Sequence, residues 1–258
     1  HMRGHIADMD AICEICETFG ITVIEDCAHT MGARWKGTRS GNFGSVAAFS
    51  AQTYKHINSG EGGLLTTDDP QIAARAIIHS GSYMLYASHG AAPDETEFEK
   101  VKLNTPNYSG RMDNMRAAVL RGQLENLDKN VARWNRRYQA LESRFRQSPV
   151  IDIAEREQHE EYVGSSIQFR PRLKPTQIPD LMTATAKRGV DIKWFGAREP
   201  HAFTSRYDSW NYLGELPELK ATLSVLANTC DIRVPLTFDE QDCDLVGMII
   251  CDEVQRLS

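Results

Sequence analysis

The sequence predicts an α/β fold, and three observations carry that reading. Short apolar runs at residues 21–24, 46–50 and 64–66 have strand length and lie between segments of helical period. Helix-opening signals, Asp8 and then Asp69-Pro70, stand just ahead of two of those segments. Strands that are apolar throughout, rather than alternating, are what a sheet with helices on both faces needs.

Taken in order, residues 8–18 read as a helix with Asp8 as its cap and Gly20 as its stop. The run 21–24 follows at once and delivers Asp26 to a strand end, with Cys27, Ala28 and His29 next in the chain. A second strand, 46–50, ends at Ser50. Lys55 lies on the connection that follows, and Ser59-Gly60-Glu61-Gly62-Gly63 closes it before the third strand at 64–66. Asp69-Pro70 opens a helix that reaches about His79. Residues 81–105 are polar and read as loop. Beyond them Leu120, Leu124, Leu127, Val131, Trp134, Tyr138, Leu141 and Phe145 step by four and three. That spacing predicts one unbroken long helix with a single apolar stripe, whose plain role is core or subunit packing. A strand at 165–170, a helix at 178–188, a strand at 232–236 and a last helix at 239–255 complete an α+β unit. The expected domains are residues 1–110, part of an α/β layer, and 111–258, a linking helix with a smaller C-terminal α+β domain.

At 258 residues, with 41% hydrophobic and 25% charged, the composition is ordinary for a soluble protein. A net charge of −6 without a basic cluster argues against nucleic acid as partner. The longest apolar run, 245–251, is too short to cross a bilayer, and no secretory signal pattern is visible, so a cytoplasmic protein is expected. Cys13 and Cys16 form a C-x-x-C spacing within one helix pattern, without a second pair beside it. Two helix-face thiols are the simpler reading than a metal or redox site. The eight histidines include no H-E-x-x-H cluster, and no metal site is predicted.

A lysine on a short turn and a carboxylate at a strand end are what an aldehyde cofactor with a ring nitrogen requires. Pyridoxal 5′-phosphate is that cofactor: Lys55 supplies the amine for an imine, and Asp26 pairs with the pyridinium N–H. Such a charge pair at about 4 Å is worth on the order of 4 kcal/mol at an effective dielectric near 20, which keeps the ring protonated. The competing readings are a surface lysine and a strand-end aspartate that caps the next turn. His29 either meets the ring, by stacking or at its phenolic oxygen, or is a satisfied core histidine. Ser50 is a donor for the cofactor phosphate, although a dianion usually takes several. The glycines at 60–63 fit neither G-x-G-x-x-G nor G-x-x-x-x-G-K-[ST], and read as backbone freedom around a crowded loop, with Glu61 structural. Trp194, Phe195, Arg198 and His201 form a polar-aromatic stretch that either borders the substrate or is surface loop over a satellite core.

With those residues placed, the chain resembles the DegT/DnrJ/EryC1/StrS family of sugar aminotransferases. His1-Met2-Arg3-Gly4 with Ala7-Asp8-Met9-Asp10 is similar to the family's H-x-x-G-x-x-A-D-M-D segment, and Ile24-Glu25-Asp26-Cys27-Ala28-His29 to its I-E-D-A-A-Q/H strand end. Phe49-Ser50, Lys55 and Ser59-Gly60-Glu61-Gly62-Gly63 resemble the lysine segment. Arg111-Met112 through Gln123-Leu124-Glu125 resembles the R-M-x-x-x-x-A-A segment, and Pro235-Leu236 the closing strand.

The resemblance implies a partial fold-type I large domain with a smaller C-terminal α+β domain, and pyridoxal phosphate on Lys55 and Asp26. It counts Ala28, His29 and Ser50 as further cofactor-binding residues. It implies transfer of an amino group from glutamate or glutamine to a keto-sugar, free or nucleotide-linked, or to a keto-cyclitol, by a homodimer. Lys55 then also shuttles the proton between the substrate carbon and the cofactor's C4′. Such chains are expected to extend well upstream of His1, where a backbone phosphate cradle and part of the substrate pocket lie. An asparagine that usually precedes Arg-Met and reaches the neighbouring subunit's cofactor is replaced here by Ser109-Gly110, with Asn107 two residues away. Two alternatives stand beside this reading. One is a non-catalytic or truncated binding or regulatory protein of the same fold. The other is a sugar dehydratase, although family members of that kind are expected to carry histidine at the position of Lys55.

Overall fold

The computed structural model describes residues 1–82, 84–199 and 207–258, and divides into two units. The first comprises residues 1–131 and 158–163, the second 132–157 and 164–258.

Helix α1 (Met9–Thr18) starts where the cap predicts, Asp8 accepting the Ala11 N–H at 3.0 Å. Strand β1 (Ile24–Asp26) begins later than the apolar run does. Ile21 still belongs to the helix stop, its N–H donating to the Cys16 carbonyl at 2.8 Å. Strands β2 (Arg34–Trp35) and β3 (Thr38–Arg39) make a small antiparallel hairpin. Strand β4 (Val46–Ser50) lies parallel to β1, with Asp26 beside Ala48. Strand β5 (Gly63–Thr66) runs antiparallel to β4, with Ser50 beside Gly63. Gly44 lets the backbone enter β4, since a Cβ there would stand 2.6 Å from the Val23 carbonyl oxygen.

Within this chain the sheet β1-β4-β5 has one covered face. One face carries buried Glu25 and Ala47. On the other, Ile24, Asp26, Ala48 and Leu65 are exposed, Ile24 at 70%. Apolar composition alone cannot tell a strand buried on both faces from one with an open face.

Helix α2 (Pro70–Ser80) is capped by Asp69, which accepts the Gln71 and Ile72 N–H groups at 2.8 and 3.0 Å. The stretch read as loop contains helix α3 (Glu95–Val101), whose Phe98 and Val101 are buried against Ala74, Ile77 and Ile78 of α2. Two apolar positions within seven residues are too few for periodicity to register.

The long helix predicted as continuous is two, α4 (Asn114–Glu125) and α5 (Leu127–Gln147). Asn126 separates them, and its Nδ2 donates to the Gly122 carbonyl at 2.9 Å. An asparagine that bonds nearby backbone offers the chain an alternative to the helical ladder. The stripe survives the break: Leu120, Leu127, Trp134, Tyr138, Leu141 and Phe145 are buried, and Leu124 is exposed.

Helix α5 continues into the second unit, where β6 (Ile151–Ile153) follows. The chain then revisits the first unit at β7 (Glu160–Glu161), which pairs with β2. Strand β8 (Ser166–Pro171), helix α6 (Ile178–Lys187), β9 (Lys193–Trp194), α7 (Lys220–Leu226), β10 (Cys230–Arg233) and α8 (Glu240–Leu257) complete the second unit. Its sheet, β6-β8-β10-β9, is antiparallel at every pairing. Buried Ile167, Phe169, Ile178, Leu181, Ile250 and Val254 fill the core, and the Phe145 and Phe169 rings meet at 4.9 Å. Among the described residues no helix is long and apolar enough to cross a membrane.

One buried carboxylate fixes the approach of β1 to β4. Glu25 Oε1 accepts the Phe43 and Gly44 N–H groups at 2.7 and 2.8 Å. Its Oε2 accepts the Gly41 N–H at 2.8 Å and meets His1 Nε2 at 3.2 Å. Glu25→Gln turns an acceptor oxygen into an NH2 that faces backbone N–H groups. It should destabilise the first unit by on the order of 3 kcal/mol, read as a lower urea midpoint.

Candidate active site

Asp26 and Ser50 close neighbouring parallel strands at the same end of the sheet. Asp26 pairs with Ala48, and Ser50 lies two residues further along β4, so all three side chains leave one face. That is the exposed face, and Ala48, beside Asp26 in the register, presents a methyl group there. Asp26 is exposed, and its Oδ1 accepts the Ala28 N–H at 3.0 Å, which is the turn-capping contact. Ser50 Oγ accepts the Gln52 N–H at 3.3 Å.

The β4–β5 hairpin extends past its strands and carries Lys55 at its tip. Ala51 N–H donates to the Gly62 carbonyl at 2.9 Å, Thr53 N–H to that of Gly60 at 2.9 Å, and Ser59 N–H to that of Ala51 at 3.1 Å. Two plugs seat this loop: Ala51 and Ile57, each 1% exposed, enter an apolar cluster with Met31, Leu120 and Leu127. Gly62 sits at φ +136°, where side chains are strained, and a Cβ there would be 2.6 Å from Met112 Cε. Lys55 is half-buried, with Nζ 2.9 Å from His29 Nε2. The five residues singled out in the sequence therefore gather at one end of one sheet. Asp26 and Ala28 share a turn, Lys55 and His29 touch, and Ser50 ends the adjacent strand.

Residues 1–240 match the family model of the DegT/DnrJ/EryC1/StrS aminotransferase family. The chain belongs to that family. It is 36% identical over 146 residues to the dTDP-3-amino-3,4,6-trideoxy-alpha-D-glucose transaminase of Streptomyces venezuelae, which covers 56% of this chain and 34% of that protein. It is 36% identical over 137 residues to the L-glutamine:2-deoxy-scyllo-inosose aminotransferase of Micromonospora echinospora, covering 52% and 31%. Its fold superposes on the crystal structure of S. venezuelae DesV, solved in complex with a ketimine intermediate, with a TM-score of 0.77 and 27% identity. That likeness covers 100% of this chain and 64% of DesV, so the chain spans less than two thirds of that relative's length.

In this family member, Asn107 and Ser109 are both exposed, and the Asn107 side chain accepts the Ser109 N–H at 2.8 Å. Trp194 Nε1 donates to the Ala227 carbonyl at 2.8 Å, and Lys193 lies over the Phe195 ring at 5.0 Å, contacts that anchor structure within the second unit. His201 of the same stretch lies outside the described residues. Two roles carried no signal in the residue types alone. Gln123 contacts the lysine loop, although it falls in a motif segment that the sequence had singled out. Glu25 is turned to the covered face by the strand alternation that points Ile24 and Asp26 the other way, which a period-of-two reading would have exposed.

His1, Glu25 and Cys27 bring three metal-ligand atom types within 4.8 Å of one another. Each already has a partner: His1 Nδ1 accepts the Ala7 N–H at 3.2 Å, leaving Nε2 to donate to Glu25, and Cys27 Sγ donates to Glu25 Oε2 at 3.9 Å. The cluster is a hydrogen-bond knot behind Asp26. Burial first, and then the Glu25 charge, push the Cys27 thiol up to about 11. The neutral thiol is thus favoured by folding, and the stability it contributes is lost as pH rises from the ordinary thiol range through about 11. At pH 8 only about one thiol in a thousand is thiolate at such a pKa. Mass spectrometry should find Cys27 unalkylated by iodoacetamide in the native chain at pH 8 and alkylated after urea unfolding.

Proposed function

We propose that this protein is a pyridoxal phosphate-dependent aminotransferase that moves an amino group from glutamate or glutamine to a keto-sugar or a keto-cyclitol. The observation that carries the reading is Lys55 at the tip of an anchored hairpin, touching His29, beside strand ends where Asp26 and Ser50 face the same way. A flat ring fits such a place. Ala48 presents only a methyl group beside Asp26 on the exposed face, and Ala28 adds no bulk to the turn. The names of the S. venezuelae and M. echinospora relatives support a nucleotide-linked sugar and a cyclitol, respectively, as acceptor classes, and the second supports glutamine as donor. In this reading residues 1–110 are the C-terminal part of the cofactor-binding domain, and 111–258 the linking helix and small domain. The protein works in the cytoplasm as a homodimer.

When bound, the cofactor supplies an electron sink that stabilises negative charge on the substrate carbon. The chain's own residues do the rest. Asp26 would hold the ring N–H and keep it protonated by its negative charge. Ser50 donates its hydroxyl to the phosphate. Lys55 would carry the proton to and from the substrate carbon, for which its amine must be neutral. Within hydrogen-bond reach at 2.9 Å, His29 gives that amine a partner in either protonation state. It accepts through Nε2 from an ammonium, and donates to a neutral amine when the ring hydrogen sits there.

Borohydride reduction of the cofactor-loaded 258-residue chain should leave the cofactor on Lys55, located by peptide mapping. An adduct elsewhere, or none, rejects the reading in favour of a non-catalytic protein. Lys55→Arg should abolish the adduct. Asp26→Asn keeps the acceptor for the Ala28 N–H but removes the charge, and should lower transaminase kcat by about a hundredfold to a thousandfold, each tenfold being about 1.4 kcal/mol. Sedimentation equilibrium should give twice the 29.0 kDa chain mass.

A further inference from the structure

From helix α4, Gln123 reaches the backbone at the tip of the lysine hairpin. Gln123 Oε1 accepts the Asn58 N–H at 3.0 Å, and Gln123 Nε2 donates to the Asn58 carbonyl at 2.7 Å. The second Nε2 hydrogen goes to the Val119 carbonyl of its own helix at 3.2 Å. All these contacts demand one orientation of the amide, because exchanging O and N would set two donors face to face at Asn58. Gln123 thus imitates a strand neighbour, and it grips the backbone three residues from Lys55. Ile57, between them in sequence, is the buried plug that enters the cluster with Leu120 of the same helix α4. Plug and clamp act on adjacent residues: the first fixes the depth of the loop, the second its rotation.

Resting on the function proposed above, we propose that Gln123 is a positioning residue for Lys55, acting through the Asn58 peptide to hold the amine at His29. Its amide bonds go to the Asn58 and Val119 backbone. Gln123→Met keeps the length and apolar stem and loses both bonds to Asn58. Gln123→Glu keeps the acceptor for the Asn58 N–H but sets an anionic oxygen against the Asn58 carbonyl. When that carboxyl is protonated, below about pH 4, it again offers one acceptor and one donor.

The experiment uses the full chain without cofactor, so that its outcome is separate from the borohydride result. Hydrogen exchange of residues 52–62 and the rate of Lys55 acetylation by acetic anhydride against pH are read in wild type and both variants. Gln123→Met should speed exchange in the loop by about tenfold or more while β1 and β4 keep their protection. Its Lys55 acetylation rate should change at least threefold. Gln123→Glu should exchange faster than wild type at pH 7 and approach it toward pH 4. Unchanged loop exchange in both variants overturns the clamp. A loosened loop with an unchanged Lys55 acetylation profile overturns the positioning role. Should the Met variant fail to fold, the pH-dependent convergence of the Glu variant decides alone, and its absence counts against the proposal.

Discussion

A buried carboxylate behind the site is the interaction on which its geometry depends. Glu25 stands between Ile24 and Asp26 on a strand only three residues long, and three backbone N–H groups of the segment 41–44 converge on it. A carboxylate in a covered position is costly unless its lone pairs are filled, and these bonds fill them. The same bonds tie the entry of β4 to β1, so the register that puts Asp26 beside Ala48 and two residues short of Ser50 follows from them. Alternation does the remainder: with Glu25 facing inward, Asp26 must face outward.

The lysine loop solves a different problem. A turn of a dozen residues rich in glycine would ordinarily sample many conformations. Here each flexible position is matched by a restraint. Gly60 and Gly62 provide the carbonyls that take the Thr53 and Ala51 N–H groups, Ala51 and Ile57 are buried, and Asn58 is held to α4. The glycines provide backbone freedom for the turn, and the plugs remove it elsewhere.

How much of this was legible beforehand varied with the kind of signal. Helix starts at Asp8, Asp69 and Asp239 were plain, because a cap is a local property of residue type. Strands β1, β4, β5, β8 and β10 and the apolar stripe were plain as patterns, whereas the two- and three-residue strands β2, β3, β6, β7 and β9 were too short to register. What the pattern could not show was interruption or coverage. The break at Asn126 comes from one side chain bonding backbone four residues behind it, inside a stripe that continues on both sides of it. The open face of β1-β4-β5 carries residues as apolar as those of a closed one. Helix α3 gave too little periodicity to register. At the site, Asp26 and Ser50 stood out as polar residues at strand ends, and Lys55 as a lysine on the glycine-rich connection after β4. The family resemblance brought in Ala28 and organised the whole. Glu25 and Gln123 act through backbone partners 16 to 65 positions away, and no local signal marks such pairs.

The pairing of Lys55 with His29 belongs to a loop whose backbone is fixed while its reactive side chain is long. On the function proposed above, that division suits an amine with two places to be: bound to a cofactor, and free to meet a substrate carbon. Four methylene groups allow the change of place, so the backbone need not move. A loop that moved as a body would disturb Ile57 and Asn58 together, losing packing and both amide bonds at once. The anchored backbone leaves the change of place to the Lys55 side chain, and His29 at 2.9 Å gives that side chain a partner. An ordinary surface lysine has the same reach but neither the anchored base nor the imidazole partner, which is the physical content of the distinction between the two readings of Lys55.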